Sequence, residues 1–254
     1  MRWETQTYDG PGGWYNSSAI AAVGATLTLA APIACARPLS EGCLYPGVIV
    51  AIMRGPGQGQ WRRLASVDAA NVITLESAFE PQPQLGNASD AGASFISVTV
   101  NHGQAVFEGN SYVNGTTWQT YGAALETVIA GNVFREMFTT ESMNTTAVAA
   151  GLRLFGHRYV GGYQPNWWSL VVGNTIDCTT EFRVYADDIA GVVFSWATVV
   201  RDNAVTAATL ALNFAHDVVV EHNSFAAGFC AYAGAVLPTG GVAANASSSG
   251  VVIR

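Results

Sequence analysis

Short apolar runs that each lead into an asparagine recur along the second half of the chain. The segments VIAGNVF, LVVGNTI, TVVRDNAV and VVVEHNSF share the same order, with paired aliphatic residues before the asparagine and an apolar residue two positions after it. Runs of β-branched residues this short are typical of β-strands rather than helices. The pattern therefore predicts an all-β, repetitive architecture.

The asparagines recur at unequal intervals of 22, 42, 29 and 20 residues. The shortest intervals fit one coil of a three-strand parallel β-helix, and the longer ones fit the same coil with inserted loops. Asparagine tolerates left-handed backbone, and its amide can bond the backbone or the asparagine of the next coil. We therefore predict a single-stranded parallel β-helix, a solenoid, with an asparagine ladder at one corner. The predicted ladder consists of Asn110, Asn132, Asn174, Asn203 and Asn223.

A second strand also recurs, because GLRLFGH at 151–157 matches EFRVYAD at 181–187 position by position, with LALNFAHD at 210–217 as a looser copy. Stacked copies would form a polar stripe that supplies both cations and carboxylates, the groups that polyuronate lyases and glycoside hydrolases use. The alternative is an outer strand face solvated by charged residues. The candidate catalytic residues are Arg153, His157, Arg183, Asp187 and Asp188, with His216 and Asp217 as further members of the stripe.

Aromatic residues cluster around the predicted loops between these strands. Flat rings there could receive the apolar face of a sugar while polar edges hydrogen-bond. The alternative is that Trp167 and Trp168 cap a coil or cover its flank. The predicted substrate-binding residues are Trp118, Tyr159, Tyr163, Trp167 and Trp168, with Tyr121 nearby.

Charged residues beside the ladder predict cross-strand pairs with a structural role. The ladder register places Arg201 beside Glu221 and Asp202 beside His222. Opposite charges on neighbouring strands contribute about 0.2–1 kcal/mol each, which is sufficient reason for their presence.

The first hundred residues have a different pattern. A β-meander is predicted from the segments VIVAIMRGPGQGQWRRL and VITLESAF. Within the first segment, GPGQG predicts a tight hairpin rather than a phosphate loop, because the G-K-[ST] of a phosphate loop does not follow it. The uncharged run at 18–36 contains Pro32 and alternates as ATLTL, which favours a buried strand over a membrane span or signal peptide. We predict a β-rich segment over 1–100 packed on solenoid coils over 101–254, truncated at the C-terminus because GVVIR begins another copy.

Composition narrows the classes of function. All 11 basic residues are arginine, so the chain has no lysine for a Schiff base or a P-loop, and its net charge of -7 argues against nucleic acid or an anionic membrane as partner. The four cysteines lack metal-ligand spacing, so no metal or other cofactor is predicted, with calcium as an open alternative. Cys35 and Cys43 could form a disulfide in an oxidising compartment.

Three features are shared with a known family: the asparagine-bearing coils, the GPGQGQWRR segment leading into VITLESAFE, and the stretch NHGQAVFEGNSYVN. Through these features, residues 45 to 254 resemble the right-handed parallel β-helix proteins of the pectin-lyase-like superfamily. The resemblance implies a right-handed helix, an extracellular or cell-surface location and a polysaccharide partner. The G-H-G and R-I-K signatures of the family's enzymes are missing, so no active site carries over. We predict a polysaccharide-interacting module without its own catalysis. The alternatives are a pectate-lyase-like lyase or hydrolase, and a structural segment of a large surface protein or adhesin with neighbouring domains.

Overall fold

The computed structural model describes residues 4–6, 15–33, 47–69, 71–87, 90, 92–99, 101–113, 117–120, 123–135, 151–159, 162–177, 181–186, 192–206, 209–226 and 250–254. Within these residues all regular elements are β-strands, so the predicted all-β class is confirmed. Strands β1 to β8 are Glu4–Gln6, Tyr15–Ser17, Ala19–Val23, Thr26–Leu29, Ile49–Arg54, Trp61–Ala69, Val72–Leu75 and Phe95–Thr99.

Most of the remaining strands have two to four residues. Strands β9 to β15 are Asn101–Gly103, Val106–Glu108, Ser111–Val113, Thr117–Thr120, Ala123–Leu125, Val128–Ala130 and Val133–Arg135. Strands β16 to β22 are Gly151–Tyr159, Gly162–Gln164, Asn166–Trp167, Leu170–Val172, Thr175–Asp177, Glu181–Ala186 and Ser195–Trp196. Strands β23 to β29 are Val199–Arg201, Ala204–Val205, Thr209–Asn213, Ala215–His216, Val219–Glu221, Ser224–Phe225 and Val252–Ile253.

Seven of the first eight strands form one antiparallel sheet in the order β2-β8-β5-β6-β7-β4-β3. Within it β5, β6 and β7 follow one another as neighbours, as the meander prediction expects. The GPGQG segment joins β5 to β6 as a hairpin turn, with Gly55, Gly57 and Gly59 in positive-φ conformations. The hairpin prediction for this segment is therefore confirmed.

The described part of the uncharged run, residues 18–33, contains two strands rather than one. Strands β3 and β4 pair antiparallel on either side of Gly24, whose φ is 58°. Leu27 and Leu29 of β4 are fully buried, as the ATLTL alternation predicts. Within the described residues, no helix has the length and apolar character to cross a membrane.

Four parallel sheets contain the other strands, apart from β17, which forms an antiparallel hairpin with β16. Sheet I contains β9, β13, β18, β22 and β26, and sheet II contains β10, β14, β19, β23, β27 and β29. Sheet III contains β11, β15, β20, β24 and β28, and sheet IV contains β1, β12, β16, β21 and β25. From β9 to β28 the chain visits the four sheets in the same rotation. Each complete passage adds one strand to each of the four sheets, one strand more than the three predicted from the shortest interval.

The register confirms the alignment of the second recurring strand. Gly151 lies opposite Glu181, Arg153 lies opposite Arg183, and the pairing of β16 with β21 ends where Gly156 meets Ala186. Strand β29, from GVVIR, pairs in parallel with β27 as the next copy of that strand. The repeat read from the sequence is therefore a stacking register.

One hydrophobic cluster draws side chains from all four parallel sheets, so this core lies between them. In sheet III the residues two positions after each asparagine are aligned, and Tyr112 stacks on Phe134 with centroids 5.0 Å apart. Full burial of an aliphatic or aromatic side chain contributes about 2 kcal/mol. Each strand gains this burial only by stacking on the next strand of its sheet. The sheet III file is Tyr112, Phe134, Ile176, Val205 and Phe225.

The antiparallel sheet packs against sheet I. Ile49, Ala51 and Met53 of β5 share a buried cluster with Leu125 and Trp167 of sheet I. The alternate residues of β5 belong to another cluster on the opposite face of the antiparallel sheet. Because β5 is buried on both faces, its sequence is a continuous apolar run rather than an alternating one. This contact sets the position of the β5–β6 hairpin over sheet I.

Candidate ligand-binding cleft

The asparagines lie in one file at the corner between sheets II and III. The backbone N–H groups of Asn110, Asn132, Asn174 and Asn203 each donate to the side-chain Oδ1 of the next asparagine at 2.9 to 3.0 Å. Each of these side-chain amides donates to the same oxygen at 2.8 to 3.1 Å. The file thereby satisfies polar groups that would be costly to bury unpaired.

The left-handed residue at this corner is the one before each asparagine, which corrects the prediction that asparagine itself takes that conformation. Gly131 and Gly173 have φ values of 60° and 64°, and Asp202 and His222 have values of 55° and 54°. The asparagine is needed for its side-chain amide, whereas its neighbour makes the turn.

A second file of left-handed residues turns the chain from sheet I to sheet II. Its members have φ values between 51° and 61°, and none of them is glycine. Left-handed backbone costs a non-glycine residue about 1–2 kcal/mol. Such conformations persist where the surrounding structure enforces them, often at ligand sites. This file, called here the second corner file, is Gln104, Glu126, Trp168, Ala197 and Asp217.

A cleft with a volume of about 530 Å³ separates the second corner file from the antiparallel sheet. This volume lies within the range of small-molecule binding sites. One wall comes from the end of the β5–β6 hairpin, the start of β6 and the residues after β7, and the other comes from the second corner file. The lining residues are Gly59, Gln60, Trp61, Arg62, Arg63, Glu76, Ser77, Gln104, Glu126 and Trp168.

Hydrogen bonds fix the arginine wall of the cleft. Arg62 Nε donates to the carbonyl of Ala78 at 3.0 Å, and its Nη1 donates to the carbonyl of Trp61 at 2.7 Å. The Arg62 guanidinium also lies over the Phe79 ring, 5.3 Å from its centroid. The Arg63 guanidinium lies 5.7 Å from the centroid of the Trp61 ring. Both cations thus lie against aromatic rings, which restricts their movement.

The opposite wall combines an amide–carboxylate pair with an exposed indole. Gln104 Nε2 donates to Glu126 Oε2 at 3.0 Å, which links adjacent positions of the second corner file. The next position is Trp168, which is 45% exposed and lies 5.1 Å from Trp196, centroid to centroid. The wall therefore offers hydrogen-bonding groups beside an accessible aromatic ring.

The predicted aromatic platform is largely buried, which corrects that prediction. Trp118 lies in the core among Phe107 and Phe134, and Trp167 is enclosed between sheet I and the antiparallel sheet. Tyr163 packs between other aromatic rings. Trp168 is the predicted residue that the structure brings to the cleft. The strand containing Tyr159 is described but its side chain is not, and Tyr121 lies outside the described residues.

The predicted polar stripe is brought together only in part. Arg153 and Arg183 are register partners, although the description does not extend to their side chains. His157 lies opposite Gln164 in the β16–β17 hairpin, past the end of the pairing with β21. The backbone of His157 is described but its side chain is not, and Asp187 and Asp188 lie outside the described residues.

His216 and Asp217 do not join the stripe, which corrects their predicted place. Strand β25 pairs with sheet IV, but the chain then turns, and His216 pairs with Trp196 in sheet I. Burial lowers the pKa of His216 below its ordinary value of 6.5, and the negative charge of Asp217 opposes that shift. The carboxylate of Asp217 accepts a hydrogen bond from the Trp196 indole. These residues therefore extend sheet I and the second corner file.

The predicted charge pairs lie beside the asparagine file. Arg201 and Glu221 are register partners, and His222 Nδ1 lies 3.8 Å from Asp202 Oδ1. Arg201 Nε is also 3.8 Å from Asp202 Oδ2. The side chains of Arg201, Asp202 and His222 are well exposed, so the contacts among them contribute little to stability.

The predicted disulfide cannot be located, because Cys35 and Cys43 lie outside the described residues, as do Cys178 and Cys230. Among the side chains that the structure does describe, no three His, Cys, Asp or Glu groups converge as metal ligands.

The cleft residues Gln104 and Glu126 were not predicted, although the sequence carries a signal for them. Each member of the second corner file lies six positions before an asparagine of the other file, so both files repeat with the same intervals. Trp61, Arg62 and Arg63 have no such signal, because they reach the cleft from the antiparallel sheet.

No protein-family model matches the chain, and no curated protein matches it significantly.

Proposed function

We propose that the protein is a right-handed parallel β-helix module of the extracellular space or cell surface that binds polysaccharide at this cleft. The four-sheet rotation and the asparagine file support the β-helix. The antiparallel sheet forms its N-terminal part and contributes one wall of the site.

The observation that carries the proposal is the exposed Trp168 ring beside a cleft lined by hydrogen-bonding groups. A sugar presents apolar C–H groups on its ring faces and hydroxyls at its edges. An accessible indole can bury the ring face, while nearby amide, carboxylate and guanidinium groups can bond the hydroxyls. Trp168 lines the cleft together with Glu126 and the start of β6, which gives both kinds of contact in one place.

The proposal can be tested by titrating the purified protein with a panel of soluble glycan fragments in a calorimeter. We expect Trp168→Ala to weaken binding by about tenfold or more, since an aromatic contact and its buried area contribute at least about 1.4 kcal/mol. Leu85→Ala is the matched control, because Leu85 is 43% exposed and does not line the cleft. Equal binding by both variants would exclude the cleft as the glycan site.

A lyase or hydrolase activity is the alternative, and the register pairing of Arg153 with Arg183 favours testing it. Polyuronates and neutral glycans would be incubated with the protein, with and without calcium, while unsaturated products and reducing ends are measured. Turnover that is lost in Arg153→Ala would support an enzyme. The absence of turnover together with Trp168-dependent binding would support a binding module, and the absence of both would leave a structural segment.

A further inference from the structure

We infer that the ligand of this cleft is an uncharged, hydroxyl-rich glycan segment rather than a polyuronate. The inference rests on the proposed function, since it names the class of sugar for the same site. The charges and hydrogen bonds of the cleft indicate whether the ligand is acidic or neutral, and they do so independently of the Trp168 ring.

The described lining of the cleft carries no excess of positive charge. Arg62 and Arg63 are balanced by Glu76 on the same wall and Glu126 on the opposite wall. The whole chain has a net charge of -7, so its field also opposes a polyanion. A uronate in the cleft would meet two carboxylates as well as two guanidinium groups.

Existing hydrogen bonds occupy the Nε edge of Arg62, one of the two edges through which arginine binds a carboxylate in a two-pronged geometry. That geometry needs two parallel N–H groups on one edge of the guanidinium. The Nε N–H of Arg62 is bound to the carbonyl of Ala78, Nη1 donates to the carbonyl of Trp61, and Nη2 donates to Gln60 Oε1 at 3.4 Å. All three nitrogens therefore maintain the wall of the cleft, and one N–H on each Nη remains to donate to a ligand oxygen such as a hydroxyl.

The opposite wall requires hydrogen-bond donors from its ligand. Glu126 already accepts from Gln104 at one oxygen, and its remaining lone pairs can accept only from donors such as sugar hydroxyls. A ligand carboxylate supplies no donor and would place a like charge beside Glu126. Hydroxyls can both donate to Glu126 and accept from Arg62.

The second corner file also gives the direction of the bound chain. Gln104, Glu126 and Trp168 occupy consecutive strands of the stack, which are spaced by about 4.8 Å. This spacing is close to the length of one pyranose in an extended glycan. Successive sugars would therefore meet successive members of the file, with the chain running across the strands.

The test compares neutral oligosaccharides of cellulose, xylan and mannan with oligogalacturonate of equal length, by calorimetry at low and high salt. We expect at least one neutral series to bind about tenfold or more tightly than the acidic one. We also expect this binding to change little with salt, to strengthen with each added sugar up to about three, and to weaken in Trp168→Ala. Leu85→Ala again serves as the matched control.

Each outcome bears on a different part of the argument. Trp168-dependent binding of oligogalacturonate that weakens with salt would overturn the inference and leave the proposed function intact. No binding of either class, or binding that Trp168→Ala leaves unchanged, would overturn the proposed function and the inference with it. In Glu126→Gln, a loss of neutral-glycan affinity with unchanged stability would support the role of the carboxylate as acceptor.

Discussion

The backbone N–H of Asn132 donates to the side-chain Oδ1 of Asn174 at 2.9 Å, although the two residues are 42 positions apart in the sequence. The side-chain amide of Asn174 donates in turn to the carbonyl of Ile129 and to Oδ1 of Asn203. Asn174 therefore joins three successive levels of the stack. It is also fully buried, so its polar atoms have no access to water.

We expect Asn174→Ala to destabilise the fold by about 3 kcal/mol or more, because the buried Asn132 N–H would lose its partner and the side-chain amides of Asn132 and Asn203 would lose their link through Asn174. Asn110→Ala is the control. Asn110 is exposed at the end of the file, and its loss should cost about 1 kcal/mol or less. Urea denaturation of both variants measures the difference. Equal losses would show that the file does not stabilise the stack through buried hydrogen bonds.

Asp202→Gly is expected to stabilise the protein by about 0.5–1 kcal/mol. Asp202 has a φ of 55°, and the equivalent positions on three other levels of the stack are glycines, including Gly131. Glycine removes the steric cost of left-handed backbone, which stabilises the folded state. This gain is partly offset because glycine has greater freedom in the unfolded chain. The exposed contacts of Asp202 with Arg201 and His222 contribute little. Asp202→Ala, which removes the charge but keeps Cβ, should give no gain in melting temperature.

Gly59→Ala should weaken the contact of the β5–β6 hairpin with sheet I. A Cβ at Gly59 would collide with the Trp196 ring, and φ is +89°. Gly24→Ala is the control, since Gly24 is also left-handed, with φ of +58°, but a Cβ there would meet no atom within 4 Å. We expect a loss of about 1 kcal/mol for Gly24→Ala and at least about twice that for Gly59→Ala. Tryptophan fluorescence should shift only in the latter, and identical spectra would contradict this packing.

Stability should fall as pH decreases through the range in which His216 titrates. Burial lowers the folded-state pKa of His216 below its ordinary value of 6.5, so below that value the unfolded chain binds the proton more readily. The stability that the folded state gains by holding His216 neutral is therefore fully present above pH 6.5 and is lost on acidification. His216→Gln should reduce the difference in melting temperature between neutral and mildly acidic buffer. His222→Gln, at an exposed site, serves as control, and an unchanged pH profile in His216→Gln would refute this role.

Thr198→Val should be neutral or stabilising by up to about 1 kcal/mol. The Thr198 hydroxyl is buried and has no hydrogen-bond partner among the described residues, so valine removes an unpaired polar group at nearly equal volume. Ser169→Ala is the contrasting variant, because the Ser169 hydroxyl donates to Asn166 Oδ1 at 3.1 Å. Ser169→Ala should lower the free energy of unfolding by about 1 kcal/mol. A substantial loss of stability in Thr198→Val would show that its hydroxyl is satisfied in solution.

The repetitive part of the fold was readable from the sequence because stacking demands the same side chain at the same corner on each level. At Asn132, Asn174 and Asn203 the buried corner requires a side-chain amide, because the levels above and below present both donors and acceptors. The residue two positions later must be apolar, because it faces the core. The same reasoning aligned Arg153 with Arg183. It did not identify which residue takes the left-handed conformation, because glycine, aspartate and histidine share that position without a common chemistry.

The all-β class, the levels of the stack and the hairpin at GPGQG follow from the amino-acid sequence alone, since each depends on local backbone preference or on a periodic side-chain requirement. Which aromatic rings face solvent depends instead on contacts between distant segments. Trp167 and Trp168 are neighbours in the chain, yet one is enclosed against β5 and the other borders the cleft. Their difference arises because the antiparallel sheet covers one face of sheet I, and that contact between distant segments leaves no periodic signal in either.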